Sequence, residues 1–368
     1  MSGRLFLSPP HMTGNEQRYI AEVFESNYIA PLGPMVTRFE QAICDYTQAP
    51  YALGTSSGTA ALHLALRVSG IGEGDIVLAS SFTFIGSVAA ILYQRATPWF
   101  IDAEMASWNL SPELLEAAIA RSPKPPKALI VTHLYGQCAD MARITEICRR
   151  HGIIVIEDAA ESLGATLDGV HTGIWGDFGI YSFNGNKILS TSGGGMLVAK
   201  NGEAIKKAMF YATQAKEPTP WYEHKELGYN YRMSNVLAAI GVAQMEVLSE
   251  RVAQRRQIFE WYREALGEID EITFMPELPG AHGNRWLTTL TFGHTDPERV
   301  RTALEAQDIE SRPLWKPMHL QPLFAGADAV TDGASEQLFL RGLCLPSGTQ
   351  MGREDVLRVS DIVRGAVV

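Results

Sequence analysis

Seven short apolar runs, spaced along residues 51 to 199 with helical stretches between them, leave this chain very few folds. The runs are Tyr51-Ala-Leu-Gly54, Ile76-Val-Leu-Ala79, Trp99-Phe-Ile-Asp102, Ala128-Leu-Ile-Val131, Ile153-Ile-Val-Ile156, Gly179-Ile-Tyr-Ser-Phe183 and Met196-Leu-Val-Ala199. Ile153–Ile156 is apolar without alternation, the mark of a strand covered on both faces. Helical patterns lie between the runs, at about Ala60–Val68, Ile85–Tyr93 and Met141–His151. Another follows Ser111, where Ser-Pro-Glu-Leu-Leu-Glu reads as a capped start and Pro112 sits where a missing N–H costs nothing. Strand and helix in alternation predict an α/β fold, a mainly parallel seven-stranded sheet flanked by helices on both faces.

The flanks are read more coarsely. The first forty residues are expected to form an irregular arm, broken by Pro31, Gly33 and Pro34, before a helical pattern restarts at Val36. Asn235 to about Ile269 reads as one long helix or two nearly continuous ones, with Ala238, Ala239, Val242, Met245 and Leu248 on a helical period. A strand (Trp286 to Phe292), a helix (Pro297 to Gln307) and a last helix from about Glu354 follow. The expected division is a large domain with its arm over 1–254 and a small C-terminal α/β domain over 255–368.

A formal net charge of −10 and a pI of about 5.4 argue against a nucleic-acid partner, which needs a basic surface. A local set of donors can still bind a small anion. Cys44, Cys138, Cys148 and Cys344 form no CxxC pair, so neither a disulfide scaffold nor a metal site is expected. The N-terminus lacks the apolar core of a signal peptide, and no run of 18 apolar residues exists, so no membrane span and a cytoplasmic location are expected.

Three elements that can carry chemistry stand in order. The first is Gly54-Thr-Ser-Ser-Gly-Thr-Ala-Ala61, a turn of small residues opening a helix. Its backbone N–H groups can approach an anion, with Ser57 and Thr59 adding hydroxyls. By itself the stretch describes an ordinary capped helix more readily. The second is Glu157-Asp158-Ala-Ala-Glu161, an acidic pair ending a buried strand, where α/β sheets bind ligands. A buried carboxylate there needs a cation, such as a protonated pyridine nitrogen, though a helix-capping Asp fits the local pattern as well. The third is Lys187, in the polar loop Asn184-Gly-Asn-Lys187 after a strand and before Gly193-Gly-Gly195. A Schiff-base lysine must reach a buried aldehyde and give up its proton easily, and this context suits that better than a solvated loop lysine.

With these residues in hand, the chain resembles the DegT/DnrJ/EryC1/StrS family of sugar aminotransferases, a branch of the fold-type I enzymes that use pyridoxal 5'-phosphate. The similarity runs from about residue 5 to the C-terminus. It is carried by Ser57-Gly58-Thr59-Ala60-Ala61-Leu62, Gly72-Glu-Gly-Asp75 with Thr83-Phe84, and His133-Leu-Tyr-Gly-Gln137. Glu157–Glu161, Ser182-Phe183 with Lys187, and Gly228-Tyr-Asn-Tyr-Arg-Met233 complete it. The resemblance implies that Lys187 holds the cofactor and shuttles protons, and that Asp158 partners the pyridine nitrogen. Phe84 stacks on the ring, and Glu161 lies near the cofactor hydroxyl. Thr59, Ala60 and Ser182 match phosphate contacts, and Ser57 and Gly58 belong to the same cofactor-binding turn. Asn230 reaches the phosphate from a second subunit, which implies a homodimer with active sites at the interface.

The tract Phe183 to Met196 is similar to enzymes that aminate C4 of UDP-4-keto-6-deoxy-N-acetylglucosamine on the route to bacillosamine. L-glutamate is the implied amino donor and a nucleotide-linked keto-sugar the acceptor. Asn27 and Tyr28 in the arm, and the set Arg312, Trp315, Lys316 and His319, are the candidate sugar-nucleotide contacts. Arg232 is the candidate for the glutamate carboxylates. Transfer to another UDP-, GDP- or dTDP-linked keto-sugar, at C3 or C4, is the main alternative. A related sugar dehydratase carries His in place of the lysine, and a non-catalytic regulator carries a DNA-binding domain; neither mark is present here.

Overall fold

The computed structural model describes residues 3–367. The seven expected runs all form strands: β1 (Tyr51–Thr55), β2 (Ile76–Ser80), β3 (Thr97–Ile101), β4 (Ala128–Thr132), β5 (Ile154–Asp158), β6 (Phe178–Ser182) and β7 (Gly195–Ala199). They lie in one sheet with an eighth strand, β8 (Ala329–Val330), in the order β1-β7-β6-β5-β4-β2-β3-β8. β7 runs antiparallel to both neighbours, and the other pairs are parallel. β8 comes from the C-terminal part of the chain. Two residues carry no readable period, so nothing local announced it.

Helices cover both faces, as burial on both sides of β2 and β4 requires. The helix Gly58–Val68 lies on one face, with eight of its residues buried. The helix Met141–His151 lies on the other, its Ile144, Ile147 and Cys148 packed with Leu129, Val131 and Val155. Chain order in the sheet reverses between β2 and β4. From β2 the chain steps outward to β3, and from β4 it steps the other way to β5 and β6. A crevice opens at the carboxyl ends of the strands at such a reversal. Thr132 and Asp158 face each other in register there.

The arm is not wholly irregular. Glu16–Glu25 is a helix that buries Tyr19 and Val23, four residues apart, against the helix Asn235–Met245. Its apolar stripe is narrow and Asn15 makes no side-chain cap bond, so the breakers at 31–34 dominated the local pattern. The long helical region is two helices, Asn235–Met245 and Leu248–Leu266. The expected division at 254/255 falls inside the second. Its Leu248 and Val252 pack into the core beneath the large sheet, whereas Ile258, Tyr262 and Leu266 enter a separate core with Leu290, Leu343 and Val359. That second core is built on a four-stranded antiparallel sheet of Ile272–Phe274, Thr288–Phe292, Gly342–Leu345 and Arg312–Pro313, with helices Pro297–Glu305 and Arg353–Ala366. Among the described residues no helix is long and apolar enough to cross a membrane.

His63 on the helix Gly58–Val68 is buried among Tyr93, Tyr229 and Tyr231, and its Nε2 has no partner. Burial, with Arg67 nearby, pulls its pKa down from 6.5 to about 4. The folded protein therefore binds fewer protons than the unfolded chain between these values, and stability falls as pH drops through that window. The stability lost between pH 7 and pH 5 is expected to shrink by about 2 kcal/mol in His63→Phe. Urea unfolding of both proteins at the two pH values measures it; equal losses would refute the assignment.

Candidate active site

The crevice at the strand ends holds a cavity of about 250 Å³. Its lining includes Ser57, Gly58, Thr59, Phe84, Asp158, Glu161, Ser182 and Lys187, brought from four separate stretches of chain. One wall is the start of the helix Gly58–Val68. Ser57 caps it, its Oγ accepting the Ala60 N–H at 3.0 Å. The N–H groups of Gly58 and Thr59 lack intrahelical acceptors and carry the positive end of the helix dipole. Close approach makes this wall. A Cβ on Gly58 would stand 3.1 Å from that of Ser182, and one on Gly195 would strike the Ser57–Gly58 backbone. The result is a small anion cradle, the size class of a phosphate.

Asp158 ends β5 and is 5% exposed. Its Oδ2 accepts the Ser87 hydroxyl at 2.5 Å, and its Oδ1 accepts the Ala160 N–H at 3.0 Å. Ser87 is held in turn by Thr83 at 2.7 Å, and Thr83 by Thr132 at 2.9 Å. No Lys, Arg or His among the described residues stands within ion-pair distance of Asp158. A buried carboxylate without a protein cation faces a cavity, which suits a ligand bringing its own positive nitrogen. The anion cradle and this carboxylate therefore fit the two ends of pyridoxal phosphate, with Lys187 beside them.

Lys187 is largely buried. Its Nζ lies 3.7 Å from Glu161 Oε1 and 4.2 Å from the centroid of the Trp286 ring. Glu161 is buried, and its other oxygen accepts the Tyr135 N–H at 2.7 Å. Desolvation raises its pKa; the Lys187 charge and the Tyr135 N–H oppose the rise. Tyr135 reaches this place in a left-handed conformation (φ 52°), and its hydroxyl accepts the Trp315 N–H at 2.8 Å. Trp315 stacks parallel to Tyr135 and touches Phe84, which is half exposed at the cavity mouth.

Past Phe84, Asn186, Trp286 and Trp315 the cavity borders a groove of about 1150 Å³, whose lining also includes Arg312 and Lys316. Other expected residues are placed elsewhere. Ala60 is outside the lining, because its N–H is spent on the Ser57 cap and its methyl is buried. Asn230 is exposed on the segment that bridges to Thr213, and it does not line the cavity. Asn27 and Tyr28 are exposed after the arm helix and line neither space. His319 is not in the groove wall. Its Nδ1 bonds Ser81 Oγ at 2.6 Å and its Nε2 lies 3.2 Å from Glu336, so it clamps the loop carrying Trp315 onto the sheet. Arg232 is likewise taken: it binds Glu40 at 2.9 Å and the Gly54 carbonyl at 3.0 Å. Ser87, Thr132, Tyr135 and Trp286 were not anticipated. For Ser87 the available signal was its spacing from Thr83, one helical turn; Trp286 had none. Among the described residues no cluster suits a metal ion.

Comparison with known proteins shows the family. The profile of the DegT/DnrJ/EryC1/StrS aminotransferase family matches residues 10–364. EpsN of Bacillus subtilis (strain 168), whose name assigns it provisionally to the pyridoxal phosphate-dependent aminotransferases, is 50% identical over 99% of this chain and 96% of its own length. GDP-perosamine synthase of Caulobacter vibrioides is 37% identical over 97% of this chain and 96% of its own. The crystal structure of a DegT/DnrJ/EryC1/StrS aminotransferase from Brucella abortus superimposes with a TM-score of 0.89 at 29% identity, covering 96% of this chain and 95% of that one.

Ser87→Ala removes the hydroxyl that orients Asp158; because that bond exists without cofactor too, only part of its worth of about 1.5–3 kcal/mol bears on binding, and pyridoxal phosphate affinity is expected to fall roughly tenfold. Spectroscopic titration of the cofactor-free protein reads this directly. An unchanged dissociation constant would mean that Ser87 does not support Asp158.

Proposed function

The chain belongs to the DegT/DnrJ/EryC1/StrS aminotransferase family, and from that membership we propose that it moves the amino group of L-glutamate to C4 of UDP-4-keto-6-deoxy-N-acetylglucosamine. The coarser statement is that it is a pyridoxal phosphate-dependent sugar aminotransferase. The finer one rests on the tract Phe183 to Met196 around Lys187. The observation that carries the reading is the meeting of Lys187, the cation-free Asp158 and the Ser57–Thr59 turn in one cavity that adjoins a nucleotide-sized groove.

When bound, pyridoxal phosphate supplies an electron sink for the carbon that loses a proton. The side chains do the rest. Ser57, Gly58, Thr59 and Ser182 bind the phosphate, and Asp158 keeps the pyridine nitrogen protonated. Lys187 would hold the cofactor at its aldehyde carbon. Its amine, once free, would take the α proton of glutamate in one half of the cycle and give a proton to C4 of the sugar in the other. Glu161, whose proton is held more tightly in this buried place, sits 3.7 Å from the Lys187 amine. Trp286 and Trp315 narrow the mouth and limit water around the reacting atoms. Arg312 and Lys316 stand at the groove edge, where a diphosphate would lie.

The same reading makes the molecule a homodimer. Asn230 is exposed outside its own cavity, as a residue that reaches the phosphate site of a second subunit would be. A second acceptor is favoured by one observation, the 37% identity to a GDP-perosamine synthase. It would place a GDP-linked 4-keto-6-deoxy sugar in the groove.

Incubation with L-glutamate and UDP-, dTDP- and GDP-linked 4-keto-6-deoxy sugars, followed by mass spectrometry, separates the two. The UDP-linked N-acetylglucosamine derivative is expected to gain the amino group, with 2-oxoglutarate released in equal amount. Amination of the GDP-linked sugar alone would install the second acceptor. No amino sugar from any of them would end the proposal. Lys187→Ala should abolish both turnover and the borohydride-sensitive near-visible band of the lysine-bound cofactor.

A further inference from the structure

Arg255 lies in the helix Leu248–Leu266 at the point where that helix leaves one core and enters the other. It is 1% exposed, and no carboxylate among the described residues pairs with it. Burial, with Arg251 nearby, pulls its pKa down to about 9, and its Nε has no partner. A buried cation without a counter-charge is costly, and an apolar side chain of similar length would fill the space without that cost. What a guanidinium adds is a rigid fork that addresses two oxygens at once.

Those two oxygens close a ring around the active-site loop. One arm of the fork donates to the Trp286 carbonyl at 2.8 Å, and the other to Ser8 Oγ at 2.9 Å. Ser8 Oγ donates to the Asn186 carbonyl at 2.7 Å, and the Trp286 indole N–H donates to the same carbonyl at 2.7 Å. The next residue is Lys187, whose Nζ rests over the Trp286 ring. Asn184 and Asn186 are exposed and Gly185 lies between them, so the loop has little packing of its own. Its carbonyl clamp comes from the arm, through Ser8, and from the start of the second lobe, through Trp286.

We propose that Arg255 is a positioning residue: by holding Ser8 and the Trp286 backbone it fixes the Asn186 carbonyl, and so sets the reach of the Lys187 amine into the cavity. This rests on the assignment of Lys187 as the cofactor lysine. Arg255 lines neither the cavity nor the groove, so it acts only through its neighbours.

The test uses the full chain freed of cofactor and two probes. Pyridoxal phosphate is captured covalently, the Lys187 amine condensing with the aldehyde and water leaving, and the near-visible band reports the rate. Pyridoxamine phosphate has no aldehyde, and its binding reports the cradle and Asp158 alone. In Arg255→Met and Arg255→Lys covalent capture is expected to slow about tenfold or more, and in Ser8→Ala about threefold, with pyridoxamine phosphate affinity kept within about twofold. Capture at the wild-type rate in these variants overturns the proposal. So does a parallel loss of both probes, which would make Arg255 a matter of folding alone. If the arginine variants do not fold, Ser8→Ala decides by the same two readouts. A wild-type protein that forms no borohydride-reducible bond at Lys187 would instead remove the assignment beneath, and this inference with it.

Discussion

A carboxylate that the protein itself does not neutralise governs the arrangement of this molecule. Asp158 is buried at the end of a parallel strand, and its protein partners are a hydroxyl and a backbone N–H. Such a group is tolerable when hydrogen bonds hold it and a ligand cation completes it. The chain Ser87–Thr83–Thr132 ties that requirement to three neighbouring strand ends. It works only where β2, β4 and β5 are adjacent, so the reversal of strand order and the placing of the carboxylate are one feature.

The sheet supplies only half of the site. Trp286, Trp315 and the groove edge belong to the C-terminal part, which is fastened to the sheet at several points. Asp102, fully buried after β3, accepts the N–H groups of Gly333 at 3.0 Å and Ser335 at 3.1 Å. His319 is fastened to Ser81, and Asn284 donates to the carbonyls of Glu161 at 3.0 Å and Leu163 at 2.9 Å. Gly136 meets the Asn284–Trp286 turn so closely that any side chain there would collide with it, which is one use of its left-handed backbone. Tyr135, Glu161 and Lys187 are therefore positioned from both sides, and the cavity cannot widen without breaking buried bonds.

Much of this is legible in the sequence. Strands reveal themselves by apolar runs and helices by caps and periods, because those signals are contained within a few residues. The cap at Ser111 and the helix Met141–His151 lie where the pattern put them. The helix at Glu16–Glu25 and the two-residue β8 did not show, one for its narrow stripe and the other for its brevity. Arg232 and His319 carried the right chemistry for substrate contacts, yet both are spent on distant partners. Their bonds reach 192 and 238 residues along the chain, to Glu40 and Ser81.

By itself, then, the sequence determined the α/β alternation, the order of anion turn, acidic strand end and lysine, and the family these belong to. Backbone preference and local chemistry are written in neighbouring residues, so they survive without a fold. The tertiary structure decided which polar groups remain free to meet a ligand. It enclosed Asp158 without a cation, set Lys187 over Trp286, and withdrew Arg232 and His319 from the site. The physical reason is that a side chain's availability depends on what packs against it, and those neighbours come from the far ends of the chain.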